Sequence, residues 1–540
     1  MSLTDTTHTI FKSAQRFFSG TALSRISGML RDISMAYVFG TQVSIASFML
    51  AFRFAHLARR LFGEGALQSA FIPEFESLRH HTPEKAFQFF CDLKVVLMLF
   101  LSLFILLGCG ALGIIFSYGH FSADNQEVII LTLLMLPSLF FICLYGLNAS
   151  LLQCEKNYFT SAVAPVGFNV IQICSIIALY YFQPKEAMRW LAGGVIIACF
   201  FQWVITMPRV LSILNKNLTT RLWKNLNPFS PALLKFIKPL FLGMLGVAAS
   251  QINNAVDALF GRIAEAEGPA FLWYSIRVQQ LPLALFGIAI SGAILPPLSR
   301  AIKALDWTKY NYFITYALQK TLLFMLPITF FILAVGDTSI NLIYGRGDFG
   351  GHSIVGVTYC LWAYGLGLLP MALTLILAPA CYAQSNYRSP AIASFLVIGL
   401  NTILNAWFIF SWGLGAMSVA CATSISAWVN AFFLSRTLSH STGTVWTWDI
   451  MKSLGKIGLA TWIAFLGVIL GRLASQDLTL TLLLTRQIPD FSQHFLEQFF
   501  AFIWQGGLFG FLFITSAYMF GILNTRSEGF QDSQHAEYIS

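Results

Sequence analysis

Residues 95–116, VVLMLFLSLFILLGCGALGIIF, run for 22 positions without a charged side chain. At 1.5 Å rise per residue, such a run suffices as a helix to cross a hydrocarbon layer of about 30 Å. Inside that layer each backbone N–H and C=O must be satisfied by the segment itself, which a helix does and an irregular chain cannot. Comparable runs recur along all 540 residues. At roughly 20 apolar residues per crossing, the chain is expected to form about fourteen helices, centred near residues 28, 53, 102, 139, 170, 200, 245, 283, 322, 366, 400, 425, 462 and 510. Only 11% of its side chains are charged, against about 25% in soluble proteins. The fold class that follows is an all-α polytopic membrane protein. Spans one, two, seven and eight are the least apolar, and a hydropathy scan is expected to miss the first two.

The connections set an expected orientation. With the N-terminus inside, the even-numbered connections hold about thirteen Lys and Arg, among them Arg79, Lys85, Lys156, Arg209 and Lys216, and the opposite ones about four. By the positive-inside rule both termini are cytoplasmic. The same loops account for the net charge of +9 without a nucleic-acid partner. The first sixteen residues are polar and lack an apolar h-region, so no cleavable signal peptide is expected. The nine cysteines fall mostly in apolar runs, with no C-x-x-C pair and no clustered histidine, and they read as packing residues. No P-loop and no hydrolase motif is present, so the chain is not expected to be an enzyme or an ATP-driven pump.

An internal repeat divides the chain. FRFAHLARRLFGEGALQSAFIPEF aligns with YSIRVQQLPLALFGIAISGAILPPLS at an offset of 224, placing Arg53 on Arg277 and Pro73 on Pro297. Tyr118-Gly119 aligns with Tyr344-Gly345 at nearly the same offset. Six spans separate the copies, so both halves cross the membrane in the same sense, a parallel repeat. The expected organisation is one lobe over 1–215, a second over 216–440, a helix pair over 441–523 without a counterpart, and a polar tail over 524–540.

The repeat also isolates a cluster of charges. On span two, Arg53, His56, Arg60 and Glu64 share one helical face, with Arg59 about 100° away. On span one, Arg25, Gly28 and Asp32 share a face, with Arg31 beside Asp32. The second copy carries Leu283, Ala284 and Ile288 where the first has Arg59, Arg60 and Glu64. The scaffold therefore does not need these charges. With Arg277 they amount to six arginines against two carboxylates. An arginine at membrane depth costs about 2.5–3.5 kcal/mol on insertion scales, so a water-filled cavity facing an anion is the consistent reading. Guanidinium forks suit phosphate oxygens. Asp32 and Glu64 either orient arginines or touch the ligand, and the Arg59–Glu64 stretch also reads as side chains snorkelling to the interface. His56 reads as a cavity-wall residue.

The second half carries another polar set. Asp257 is the one carboxylate expected within the membrane part of the second lobe. Asn401 and Asn405 are one turn apart on span eleven, and Thr423 follows Val419 by one turn on span twelve. A carboxylate, two amide oxygens, a hydroxyl and a free carbonyl form an oxygen cage for Na⁺; the same residues also read as an interhelical hydrogen-bond network.

SRISGMLRDISMAYVFG and AFRFAHLARRLFGEGALQSAFIPEF, with their S-R-x-x-G-x-x-R-D and R-R-x-F-x-E-G-A patterns, resemble the first two helices of the MurJ (MviN) lipid II flippase family. That family belongs to the multidrug/oligosaccharidyl-lipid/polysaccharide exporter superfamily, and the resemblance extends to about residue 440. It implies two six-helix lobes in a V and a terminal helix pair forming a lipid groove. It implies cavity residues at Arg25, Arg31, Asp32, Arg59, Arg60, Glu64 and Arg277, and, as in some members, a sodium site at Asp257, Asn401, Asn405, Val419 and Thr423. The implied function is movement of lipid II, an undecaprenyl-pyrophosphate-linked peptidoglycan precursor, from the inner to the outer leaflet of the bacterial cytoplasmic membrane by alternating access. No cofactor is implied beyond candidate Na⁺. The implied partners are lipid II, membrane lipids and, as candidates, cell-wall synthesis or division proteins. Departures are Ala46 where an acidic residue is common, Ala55-His56 in place of Pro-Asn, and Asn405 where a sodium-binding member has a carboxylate. A flippase for another prenyl-pyrophosphate glycan shares the pyrophosphate chemistry. A multidrug antiporter is disfavoured by the excess of arginine, and a non-transporting division scaffold by the cost of burying it.

Overall fold

The computed structural model describes residues 7–62, 65–217, 227, 230–284, 288–443, 445–477 and 479–522. The expected tail over 524–540 and Glu64 lie outside these residues. All regular structure among the described residues is helical. In chain order the first helices are α1 (Thr7–Phe39), α2 (Val43–Phe62), α3 (Ala66–His81), α4 (Pro83–Tyr118), α5 (Ala123–Met135), α6 (Ser138–Cys154), α7 (Tyr158–Ala178), α8 (Pro184–Asn217) and α9 (Pro231–Ala264). They continue as α10 (Gly268–Pro282), α11 (Ile288–Lys303), α12 (Trp307–Tyr344), α13 (Gly351–Leu366), α14 (Leu368–Ala383), α15 (Arg388–Trp407) and α16 (Met417–Thr442). The last three are α17 (Trp448–Ala474), α18 (Thr479–Leu484) and α19 (Phe495–Met519). Proline opens α4 and α9, where a missing N–H removes no helical hydrogen bond. Asp306 caps α12 by accepting from Lys309 N at 2.9 Å, and this bond holds its carboxyl below the usual carboxylate range.

The repeat is visible in the element order. In each half a helix ends near the aligned Phe-Gly (α2, α10), a 16-residue helix follows (α3, α11), and then comes a helix of 36 or 38 residues. Those long helices, α4 and α12, stop at the aligned Tyr118-Gly119 and Tyr344-Gly345.

Nine described helical segments, with α13 and α14 taken together as one, are long and apolar enough to cross a membrane, or ten if α5 and α6, bent by 46°, count as one span. This is fewer than the fourteen expected. The expected spans not among them are α1, α2, α9 and α10 with α11, two at each start of the repeat. Arg25, Arg31, Asp32, Arg53 and Arg59 interrupt the first two, α10 and α11 are only 15 and 16 residues long, and part of α9 lies outside the described side chains.

The chain forms two compact units, Met1–Ala270 with Gly347–Phe349, and Phe271–Arg346 with Gly350–Ser540. In the first, α7 packs on α1 and α8, α6 on α8, and α9 on α2 and α3. Gly20 makes the α1–α7 approach possible, since a Cβ there would lie 2.7 Å from that of Ala162. Gly40 ends α1 at a φ of +56°, the left-handed region that glycine adopts freely. In the second unit α12 is central, with α11, α13, α14, α17 and α19 against it. Ala334, Val335, Ala464, Val468 and Phe509 form a buried core where α12, α17 and α19 meet.

Candidate functional site

The charged cluster of the first unit is built on α1 and α2. Arg31 and Asp32 are 9% and 2% exposed. Arg31 donates to Asp32 Oδ1 from Nε at 3.1 Å and from Nη2 at 2.7 Å. Its remaining nitrogen, Nη1, donates to Asn169 Oδ1 on α7 at 3.2 Å. Asn169 Nδ2 in turn donates to Ser27 Oγ at 2.9 Å and to Ser24 O at 3.3 Å. The guanidinium carbon sits 5.8 Å from the Phe168 ring centroid. All three edges of the Arg31 fork are thus directed by α1 and α7, and the charge is balanced by Asp32. Of the two sequence readings for Asp32, orienting an arginine is the one this geometry displays.

On α2, Arg53 and Arg59 are half-buried. His56 is 9% exposed and stacks on Phe52 with ring centroids 4.1 Å apart. His56 Nδ1 lies 3.1 Å from Phe52 O; a carbonyl only accepts, so Nδ1 is the donor of this bond. Nε2 faces the Cys199 thiol on α8 at 4.0 Å. His56 is a buried wall residue in this arrangement, and Arg59 and Arg31 both act on it electrostatically. These contacts bring Arg31, Asp32, His56 and Arg59 together. Arg25 is exposed on α1, with no ion pair to a described acidic residue. Arg60 continues α2, but its side chain and Glu64 lie outside the described residues. Ala46 and Ala55, the two small residues at departures from the family pattern, are 0% and 1% exposed. They fill packed positions.

Arg277 belongs to the second unit. Its guanidinium lies 4.7 Å from the ring centroid of Trp273, one turn earlier on α10, a cation–π stack that presents the flat face to the indole. Sequence reasoning missed Trp273 and Asn169. For Trp273 the signal was an aromatic four residues before the arginine; for Asn169 there was none, because its partner is 138 positions away.

The oxygen-rich set divides between the units. Asp257, 6% exposed on α9, is in the first, where it accepts from Asn253 Nδ2 at 3.3 Å. Asn401, Asn405, Val419 and Thr423 are in the second, on the packed pair α15 and α16. Asn401 and Asn405 are 1% and 0% exposed. One expectation is corrected. The Val419 carbonyl is not free, since Thr423 Oγ1 donates to it at 2.9 Å, the back-bond open to a threonine within a helix. Two amide oxygens and a hydroxyl oxygen are the hard donors of this set, a chemistry that suits Na⁺. Asp337 on α12 is a further buried carboxylate, 1% exposed.

A sequence model of the family described as lipid II flippase MurJ matches residues 35–486. A probable lipid II flippase MurJ of Chlamydia pneumoniae is 31% identical over 440 residues, covering 80% of this chain and 78% of the relative. The protein of the same description from Vibrio cholerae is 28% identical, covering 77% and 81%. Among solved structures, a lipid II flippase MurJ in an inward closed conformation superposes with a TM-score of 0.75 at 23% identity, covering 94% of this chain and 99% of that one. An inward-facing multidrug-resistance MATE family transporter of the MOP superfamily gives 0.62 at 14% identity, covering 78% and 95%. At these identities the two structures speak for the fold.

Proposed function

The chain belongs to the MurJ family of lipid II flippases, and from that premise we propose how its residues carry lipid II from the inner to the outer leaflet. It is a multi-pass membrane transporter, not an enzyme, and no covalent bond of the substrate changes. Its place is the bacterial inner membrane, with both termini cytoplasmic, and its substrate is the lipid-linked precursor of peptidoglycan.

The observation that carries this reading is the gathering of arginine on α1 and α2, where the second copy of the repeat carries Leu283 and Ala284 at the places of Arg59 and Arg60. Arg25, Arg53, Arg59, Arg60 and Arg277 supply guanidinium forks for the pyrophosphate. Arg31, held by Asp32 and Asn169, contributes a fixed positive edge to that wall, and Glu64 moderates binding so that the headgroup can leave. Alternating access then exposes the cluster to the other side. An inside-negative potential assists, since moving one negative charge outward is favoured by about 2.3 kcal/mol per 100 mV. The prenyl tail stays in lipid along the α17–α19 pair.

Asn401, Asn405 and Thr423, with Asp257, are proposed to hold Na⁺, the Val419 carbonyl being taken by Thr423. When bound, the ion supplies positive charge that these oxygens stabilise in one state of the cycle. Depletion of the protein in its native cell tests the reading of substrate. Accumulated lipid II supports it; accumulation of a different prenyl-pyrophosphate glycan, or of none, contradicts it.

A further inference from the structure

Arg472 is one of the most deeply buried charges in the second unit, at 2% exposure. It lies near the end of α17 and donates to Asp337 of α12 twice, from Nη1 to Oδ1 at 3.0 Å and from Nη2 to Oδ2 at 2.6 Å. Nη1 also reaches Ala334 O at 2.8 Å, and Nη2 donates to Thr479 Oγ1. Nε lies 3.1 Å from Asp477 Oδ2, an ion pair rather than an aligned hydrogen bond. From α19, Gln505 closes the group, donating to Asp477 Oδ2 at 2.9 Å and accepting from Thr338 Oγ1 at 2.7 Å. Two turns earlier on α19, Gln498 Nε2 donates to Asn341 Oδ1 at 3.1 Å. Every edge of the guanidinium is used: the bonds to Asp337 and Ala334, with those of Gln505 and Gln498, tie the helix pair to α12, while Thr479 and Asp477 brace Arg472 from the turn that joins the pair.

The repeat shows what these polar groups are for. Aligning Tyr118-Gly119 on Tyr344-Gly345 puts Ala111, Leu112 and Ile115 of α4 at the positions of Asp337, Thr338 and Asn341 of α12. On α4 this stretch is apolar and largely exposed, Ile115 at 46%, as suits a lipid-facing helix. On α12 it is polar and buried, with Asp337, Thr338 and Asn341 at 1%, 8% and 7%. The long helix of the repeat needs no charge here. Only the copy covered by α17 and α19 has one. In hydrocarbon there is little hydrophobic drive to hold one helix against another, so a pair added outside a repeat needs a specific fastening.

We infer that the Arg472–Asp337–Asp477 clasp fastens α17 and α19 to α12, so that the helix pair moves as one body with the rest of the second unit through the transport cycle. This rests on the reading of the chain as a flippase whose substrate tail follows that pair. Arg472 is then a positioning residue: it touches no substrate and fixes where the tail groove lies relative to α12.

The test uses the purified full-length chain in bilayers without lipid II, with Cys109, Cys174 and Cys421 replaced by Ser. Spin labels go at the exposed Tyr316 of α12 and Phe511 of α19. The inference requires one narrow distance distribution in the parent, a second population in Arg472→Met, and return to one narrow distribution in the triple variant Arg472→Met/Asp337→Leu/Asp477→Asn. Neutral side chains of similar size can replace a buried ion group that is fully removed, whereas breaking it leaves carboxylates stranded. Complementation should follow the distances, lost in the single variant and regained in the triple. Two populations in the parent, an unchanged distribution in Arg472→Met, or a triple variant that is narrow yet inactive would each overturn it. The distance readout involves no lipid II, so it fails or succeeds separately from the flippase reading.

Discussion

Arg31 and Asn169, 138 residues apart, meet at 3.2 Å across the α1–α7 seam, with the arginine's other two edges on Asp32. This bond decides which part of the guanidinium is committed to structure. Replacing Asn169 with Leu leaves a buried N–H of a charged group without its acceptor, a loss of roughly 1–3 kcal/mol. Purified Asn169→Leu should therefore unfold at lower temperature than the parent and complement poorly. An unchanged melting temperature would mean that the seam tolerates a loose Arg31.

Arg25→Ala, Arg60→Ala and Arg277→Ala should each abolish complementation while membrane expression stays near the parent level. The warrant is the repeat, which carries Ala284 at the place of Arg60. Active variants, or variants that fail to accumulate, would remove the support for an anion-binding cluster.

Arginine-to-lysine substitutions separate charge from shape. Arg277→Lys keeps the positive charge but loses the planar group that lies over Trp273 at 4.7 Å and the bidentate fork that fits pyrophosphate. It should impair complementation strongly, as should Arg25→Lys. Full activity of both would show that net charge alone matters.

Much of this was legible in the sequence, and the parts that were not have a common cause. Helical class, the repeat and the arginine excess on α1 and α2 follow from periodicity and residue type, which are local. The apolar run of α4 could hardly be read otherwise. By contrast, charges interrupt α1 and α2, and α10 and α11 are too short, so none of them reads as a plain apolar span. Arg472 and Asp337 went unrecognised as a pair because 135 residues separate them, and neither has a telling local pattern. Asn169 was hidden for the same reason. The Val419 carbonyl was misread as free because a threonine four residues later carries no visible sign of which way its hydroxyl turns.

Sodium should stabilise the purified protein if the oxygen set holds it. Binding to the folded state contributes RT ln(1 + [Na⁺]/Kd), about 2.7 kcal/mol at a hundredfold excess over Kd. Asp257→Ala should remove the difference between sodium and choline salts, and Asn405→Asp should enlarge it by adding a negative charge. Equal stability of the parent in both salts would leave Asn401, Asn405 and Thr423 as an interhelical network, with membrane potential as the driving force.

The most direct test of the central claim is the fraction of lipid II exposed on the outer leaflet of living cells, read by an added headgroup-cleaving enzyme that cannot cross the membrane. With the chain present the lipid II pool should be cleaved. On its depletion, or with Arg25→Ala in its place, lipid II should accumulate while the cleavable fraction falls to background. A cleavable fraction that stays unchanged after depletion would contradict the assignment of this chain as the protein that moves lipid II.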